Sequence, residues 1–424
     1  MKPDDFPWIP LRKIVHVLSG FAFKSSEYAE SGHFLVRIGN VQSSGLVLDK
    51  PKYVVLNSRT QRFELHAGDI LTSLTGNIGR VAVVEERHLP VALNQRVAKI
   101  TPISNQEISA EYLYYFLSSQ NFRDSLNASS HGVAQKNVSP KSVGDILIPL
   151  PELKAQKRIV AILDEAFAGI DAAMANTEKN LANARELFES YLNSVFSQSS
   201  SSWTQTTIGG ILSKGVIEKP TDGNHGEIHP KKADFVQSGI PFIMAADLVN
   251  GTVNQTDCNF ISRGQADSLR KGFAINGDVL LSHKGTIGRS AILETELDYV
   301  MLTPQVTYYR VKNTEILSKK FLYYAFHSPR FSREMARIAG AGSTRAYIGI
   351  TKQLELPIAF PPMEAQERYT EIFGELSRES RRLEQLYKTK LSALKELKQS
   401  LLQKAFSGEL TAQAGEPEVD EAVA

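Results

Sequence analysis

Two stretches of the chain, 210 positions apart, open long amphipathic runs with the same phrase. The first reads Pro149-Leu150-Pro151-Glu152-Leu153-Lys154-Ala155-Gln156-Lys157-Arg158, the second Phe360-Pro361-Pro362-Met363-Glu364-Ala365-Gln366-Glu367-Arg368. Proline blocks a helix before it and is tolerated in the first turn, so each phrase is a helix-start signal. Behind the first, Ile159, Leu163, Phe167, Ile170, Met174, Thr177, Leu181, Ala184, Leu187, Tyr191 and Val195 recur every three or four residues without an intervening proline. Behind the second, Tyr369, Phe373, Leu376, Leu383, Leu386, Leu391, Leu394, Leu397, Leu401 and Phe406 form a similar stripe with spacings of three to seven, again without an intervening proline. A stripe sustained over several heptads predicts a coiled-coil helix, and ~45 residues at 1.5 Å each span roughly 68 Å.

The rest of the chain repeats as well. Gly68-Asp69 and Gly277-Asp278, Gly76 and Gly285, Ile78-Gly79-Arg80 and Ile287-Gly288-Arg289, and Leu113-Tyr114-Tyr115 and Leu322-Tyr323-Tyr324 stand 209 positions apart. Chance does not hold one offset over such a length, so the chain is a duplication of a globular module followed by a long helix. In the first module, short apolar runs broken by Gly, Asn, Asp and Ser predict strands at 34–38, 53–56, 69–72, 79–84 and 95–100. A helix at 109–117, a polar loop through 129–132 and a closing strand at 145–148 complete it. The expected fold is mixed α/β (α+β) with a curled sheet in each module. Residues 1–150 form the first module, 151–198 the first helical spacer, 199–361 the second module and 362–410 the second spacer. Ser197 to Ser202 reads as a flexible link, and 411–424 as a disordered acidic tail.

The first helix starts where module one ends and finishes where module two begins, which predicts modules near opposite ends of a rod. The second stripe needs burial, and its nearest partner is the first helix, packed antiparallel and returning the C-terminus to module one. One chain would then imitate a symmetric dimer, with an internal pseudo-two-fold axis. Two similar but unlike heads at a fixed separation suit a ligand that repeats along a line, and duplex DNA is the obvious one.

Composition permits this without demanding it. The 424 residues carry a net charge of +2, with 42% hydrophobic and 22% charged residues, as in a soluble globular protein. The one cysteine, Cys258, fits a reducing compartment, and no apolar run approaches the ~20 residues of a membrane span. A cytoplasmic location with no membrane partner is the expectation.

Two constellations inside the modules carry recognition chemistry. One is the glycine turn Ser73-Leu74-Thr75-Gly76-Asn77-Ile78-Gly79-Arg80 and its counterpart Ser282-His283-Lys284-Gly285-Thr286-Ile287-Gly288-Arg289. Glycines shared by both repeats are expected to serve the turn itself. The differing pairs Thr75/Lys284 and Asn77/Thr286, with Arg80 and Arg289, are the candidates for phosphate or base edges. The other is the loop before the closing strand, with His131, Gln135 and Lys136 in the first module and Ser343, Thr344, Arg345 and Tyr347 in the second. Such amides, hydroxyls and guanidinium groups can read bases, or simply face solvent. Gln95, Arg96 and Gln305 are further DNA candidates, and Lys24-Ser25 and Lys231-Lys232 are phosphate candidates. His225 and His229 have only loose metal-ligand spacing, and no metal site is expected. There is no G-x-x-x-x-G-K-[ST] loop and no G-x-S-x-G elbow, so no catalytic residue is expected. A two-headed scaffold without DNA, or an enzyme with a split active site, are the competing classes.

Taken together, the doubled Pro-rich starts of Ala-Gln-x-Arg helices, the Gly-Asp…Ile-Gly-Arg segments, the Leu-Tyr-Tyr helices and the ending Ala405-Phe406-Ser407-Gly408-Glu409-Leu410 have a family likeness. The sequence resembles the specificity subunit of type I restriction–modification enzymes over nearly its whole length. The family usually has Glu-Gln where this chain has Ala155-Gln156 and Ala365-Gln366. The resemblance implies that each module is a target recognition domain reading half of a split, asymmetric double-stranded DNA site, with the helices as spacer and docking platform. Pro151, Gln156, Arg158, Pro361, Gln366 and Arg368, at the helix starts, are the docking candidates. It further implies two methyltransferase subunits and two motor-nuclease subunits as partners. S-adenosylmethionine, ATP and Mg belong on those partners, and no cofactor on this non-catalytic chain. The specificity subunit of another multisubunit restriction system has a similar implied architecture.

Overall fold

A computed structural model describes residues 6–130, 137–198, 202–226, 228–340 and 346–412. The central part of the expected link, 199–201, and the tail from 413 lie outside the described residues. Both long helices are present, at Leu153–Ser197 and Met363–Ser407. Among the described residues no helix is long and apolar enough to cross a membrane.

The chain forms two compact units, Met1–Glu178 with Lys388–Ala424, and Lys179–Tyr387. Each long helix therefore belongs partly to one unit and partly to the other. This differs from the division into modules and separate spacers, because the apolar stripes are buried against the modules as well as against each other. In the first unit Phe406 of the second helix packs edge-on to Tyr112 and Phe116, each at 5.3 Å between ring centroids. Ile159, Leu163, Leu402, Ala405 and Phe406 share one core with Leu11, Ile14 and Ile100 of the module. Asp171 of the first helix pairs with Lys398 of the second at 2.7 Å. In the second unit Arg185 pairs with Glu384, and Tyr191 packs on Phe373. Rising positions on one helix there meet falling positions on the other, so the helices run antiparallel as expected. Phe196 and Phe373 meet Phe321, Tyr324 and Trp203 of the second module.

Each module is built on two larger sheets, one of four strands and one of five, rather than on one curled sheet. In the first, Val81–Val83, Ile70–Ser73, Val97–Pro102 and Val15–Ser19 form an antiparallel four-stranded sheet. Tyr28–Ala29, Tyr53–Val54, His33–Val36, Val91–Leu93 and Glu64–Leu65 form a mixed five-stranded sheet, parallel only between His33–Val36 and Val91–Leu93. The second module repeats the plan with Ser290–Ile292, Val279–Ser282, Val306–Tyr309 and Thr221–Asp222, and with a five-stranded sheet around Ile240–Ile243 and Val300–Leu302. The split follows from a crossing at Gly20 and Gly223. A Cβ at Gly20 would fall 2.3 Å from the Asn94 carbonyl oxygen, and at Gly223 1.9 Å from that of Leu302. Only glycine lets the strand pass this closely from one sheet to the other.

The first strand of each module pairs with its last, Trp8–Pro10 with Leu147–Pro149 and Thr204–Thr207 with Pro357–Phe360. The module thus closes at the point where its long helix begins. Between the predicted helix, found at Ala110–Leu117, and the polar loop lies a second helix, Gln120–Ala128, capped by Ser119 and burying Phe122 and Leu126. Its counterpart is Pro329–Ala339.

Candidate functional site

In each module the glycine turn closes a hairpin of the four-stranded sheet. Ser73 accepts from the Gly79 N–H at 3.0 Å through its carbonyl and from the Arg80 N–H at 3.0 Å through its hydroxyl. Ser282 does the same for Gly288 and Arg289, each at 2.9 Å. Gly79 and Gly288 have φ of 76° and 86°, left-handed conformations that explain why the repeats share them.

The far end of the loop before the closing strand is tied to this turn. Thr75 bridges to Asn137, its hydroxyl donating to the Asn137 Oδ1 at 2.7 Å, and Lys284 bridges to Tyr347. Val138 N–H donates to Leu74 O at 2.9 Å, and Ile348 N–H to His283 O at 3.0 Å. A third segment joins them: Leu74 N–H donates to Arg96 O at 3.0 Å and His283 N–H to Gln305 O at 2.9 Å. Turn, loop end and the 95–96 or 305 segment therefore meet in one site per module. His131, Gln135, Lys136, Ser343, Thr344 and Arg345 lie outside the described residues.

Within that site the candidates differ. Asn77, Gln95, Arg96, Lys284 and Thr286 are exposed, and Gln305 is half-buried. Tyr347 is 48% exposed, with the Lys284 ammonium 6.0 Å from its ring. Thr75 is a correction: it is 4% exposed and bonded to Asn137, so it braces the loop and offers no free group outward. Arg80 and Arg289 turn toward a neighbouring segment. Arg80 donates to Gln42 Oε1 at 3.0 Å, and Arg289 lines a cleft of about 800 Å³ with Arg185, Asn250 and Arg381. Lys24-Ser25 and Lys231-Lys232 are not brought to the turn. They flank 3-10 turns beside the edge strands of the other sheet, the backbone of Lys24 held by Glu27 and that of Lys231 by Asp234.

The helix-start candidates also need correction. Gln156 and Gln366 are fully buried, and Pro151 and Pro361 are buried. Gln156 Oε1 accepts from Ser109 N–H at 3.0 Å, while its Nε2 donates to Glu107 O and Pro151 O at 2.9 and 2.8 Å. Gln366 repeats this with Ser318, Ile316 and Pro361. These amides lock helix to module and are closed to a partner. Arg158 and Arg368 are exposed beside them.

Sequence reasoning missed an ionic cluster against the second module's turn. Asp222, 3% exposed, accepts from Lys271 at 2.5 Å and from the His225 imidazole at 2.7 Å, with His283 Nε2 4.0 Å away. Burial works to raise the Asp222 carboxyl, but the hydrogen bonds from Lys271 and His225 outweigh it and hold it below the usual carboxylate range. Burial pushes the His283 pKa down to about 4, keeping that ring neutral. Spacing did not reveal it, because the four residues come from three separate segments, 222–225, 271 and 283.

The comparisons agree with this architecture. The family profile described as "Type I restriction modification DNA specificity domain" matches residues 3–182 and 202–393. The EcoBI type I restriction enzyme specificity subunit of Escherichia coli is 24% identical, over 97% of this chain and 87% of its own length. A solved chain from a study of complex assembly and conformational transition in a type I R-M system superposes with a TM-score of 0.76 at 19% identity, covering 96% of this chain and 99% of that one. The HsdS subunit of Thermoanaerobacter tengcongensis superposes with a TM-score of 0.57 at 19% identity, covering 96% and 98%.

Proposed function

Because this chain belongs to the type I restriction–modification DNA specificity family and serves to select DNA sequence, we propose that its two sites read the unlike halves of one asymmetric bipartite site. The observation that carries this is the contrast between equivalent positions. The same turn, loop end and backbone bonds recur in both modules, yet the exposed groups differ: Asn77 and Asn137 of one stand where the other has Thr286 and Tyr347, and Lys284 is exposed where Thr75 is buried. One scaffold with two different sets of donors suits two different base sequences.

The two long helices set the gap between the half-sites and dock two methyltransferase subunits, with two motor-nuclease subunits joining for cleavage. The chain itself contributes no catalytic group. S-adenosylmethionine, ATP and Mg are held by those partners, in the cytoplasm. What supports the docking role is the length of helix left exposed, including Leu187, Leu386 and Leu397 at 44%, 58% and 47%.

Methylome sequencing tests the reading. A host carrying this chain with its neighbouring methyltransferase should gain a methylated motif of two unlike half-sites around a fixed gap, absent without the chain. Deleting one heptad from both helices should shorten the gap by roughly 3 base pairs, since seven residues span about 10.5 Å. If no motif appears while the methyltransferase is folded and bound, the scaffold reading replaces this one.

A further inference from the structure

The four-stranded sheets let the two sites be aligned residue by residue. Ser73 pairs with Val97 and Ser282 with Val306, so Ala98 and Thr307 are equivalent. Ser19 pairs with Ala98 and Asp222 with Thr307, so Asp222 stands where the first module has Ser19. His283 likewise replaces Leu74, and Lys284 replaces Thr75. A neutral corner in one module is an ionic one in the other.

The ionic corner is built. Asn224, 3% exposed, accepts from the Arg270 N–H at 3.1 Å and donates to the Lys271 carbonyl, stapling the 270–271 segment to 222–225. A Cβ at Gly272 would come within 2.9 Å of Gly223, so the two segments touch by backbone. On this base the buried Asp222 carboxylate holds two side chains that remain accessible, Lys271 at 39% and His225 at 47% exposure. With Nε2 taken by Asp222, only Nδ1 of the His225 ring can reach an outside group. Behind Asp222, His283 is fully buried, its Nδ1 bonded to Thr307, its Nε2 without a partner and its ring 5.8 Å from that of Tyr347. Lys284 follows His283 directly in the turn. The corner therefore presents Lys271, His225, Lys284 and Tyr347 around one buried carboxylate.

We infer that Asp222 is a positioning residue of the second module, holding the Lys271 ammonium against acceptor oxygens or nitrogens, and the Nδ1 acceptor of His225 against an N–H, of the half-site that this module reads. An anion that is itself shielded orients one donor, the Lys271 ammonium, and one acceptor, the His225 Nδ1, without facing the nucleic acid. Lys271 then meets either a phosphate oxygen or a guanine O6/N7 edge, both of which accept from an ammonium. The inference rests on the DNA reading above and assigns that reading new residues.

The test uses the full chain bound to its methyltransferase, with duplex oligonucleotides carrying the methylome-derived motif, intact or with either half-site scrambled. K271M and H225Q alter accessible side chains and leave Asp222 in place. Each should weaken binding to the intact duplex by about tenfold. For a base contact the difference from the parent should vanish when one half-site, the same for both variants, is scrambled, and the motif should relax at one position; a phosphate contact would instead keep both the loss on scrambled duplex and the motif, and lower the salt slope by about 1. D222N should reproduce the combined loss of K271M/H225Q, and adding D222N to that pair should cost nothing further. Unchanged affinity, slope and motif in K271M and H225Q would overturn the inference. So would a loss that follows the half-site altered by N77A in the first module. If the parent complex itself shows no salt-dependent, motif-dependent binding, the DNA reading falls and this inference with it; if the parent binds and the variants match it, only the inference falls.

Discussion

Gln156 accepts a hydrogen bond from the backbone N–H of Ser109 at 3.0 Å, joining the first turn of a long helix to the cap of another helix 47 positions earlier. The same amide also satisfies the Glu107 and Pro151 carbonyls. Gln156→Ala would leave the buried Pro151 carbonyl, and the partly buried Ser109 N–H and Glu107 carbonyl, without this partner, at about 1–3 kcal/mol for a group that stays buried. The expected loss is about 3 kcal/mol, measured as a lowered unfolding midpoint, and Gln366→Ala should behave alike. Lys157→Ala, exposed in the same turn, should stay within about 0.5 kcal/mol. Equal effects from Lys157 and Gln156 would refute the brace.

Phe406 is 1% exposed and packs on Tyr112 and Phe116 near the end of the second long helix. Phe406→Ala should cost about 3–5 kcal/mol through lost burial and the cavity left behind. Hydrogen exchange would place the loss in the first unit, while amides of the 240–243 and 300–302 strands keep their protection.

Gly79 and Gly288 separate strain from steric conflict. An alanine at either position suffers the left-handed backbone, about 1–2 kcal/mol. At Gly79 the new Cβ also lies 3.1 Å from Arg123 Cγ and 3.2 Å from Leu126 Cδ1, whereas at Gly288 it meets open space. Gly79→Ala should therefore destabilise more than Gly288→Ala, read from paired thermal melts.

His283 makes the second unit acid-sensitive. Its folded pKa of about 4 lies below the ordinary 6.5, so between those values the unfolded chain takes up the proton that the folded chain refuses. This contribution to stability is complete above pH 6.5 and is lost as pH falls toward 4, by about 3 kcal/mol at most. His283→Leu, which installs the residue found at Leu74 in the first module, should flatten that part of the stability–pH curve. Identical slopes between pH 6.5 and 4.5 for parent and variant would rule this out.

Much of the fold is legible because it is periodic. The stripes ending at Val195 and Phe406 pointed to a long helical partner, although the modules share in burying them, and the common offset of the glycine turns exposed the duplication. The helix Gln120–Ala128 escaped because only Phe122 and Leu126 of its nine residues are buried. The second sheet escaped because strands of two residues, such as Tyr28–Ala29 and Glu64–Leu65, carry too little pattern to assign. At the site, exposed Asn77 and Lys284 follow from their difference between repeats. Thr75 was misjudged because Asn137, its partner, lies 62 positions away. Asp222, His225, Lys271 and His283 are joined by strand pairing and by Asn224, and neither is written in spacing.

The core shared by Leu11, Ile14, Leu402 and Phe406 has a consequence for synthesis. A ribosome releases Leu11 long before Phe406. The second unit is one continuous run, Lys179–Tyr387, and holds every residue it needs before the chain is finished. The first unit must wait for the segment beginning at Lys388. The N-terminal module, made first, is therefore completed last, reversing the usual order of emergence and folding. A nascent chain stalled near Tyr387 would carry one finished unit and one still exposing the groove meant for Leu402 and Phe406.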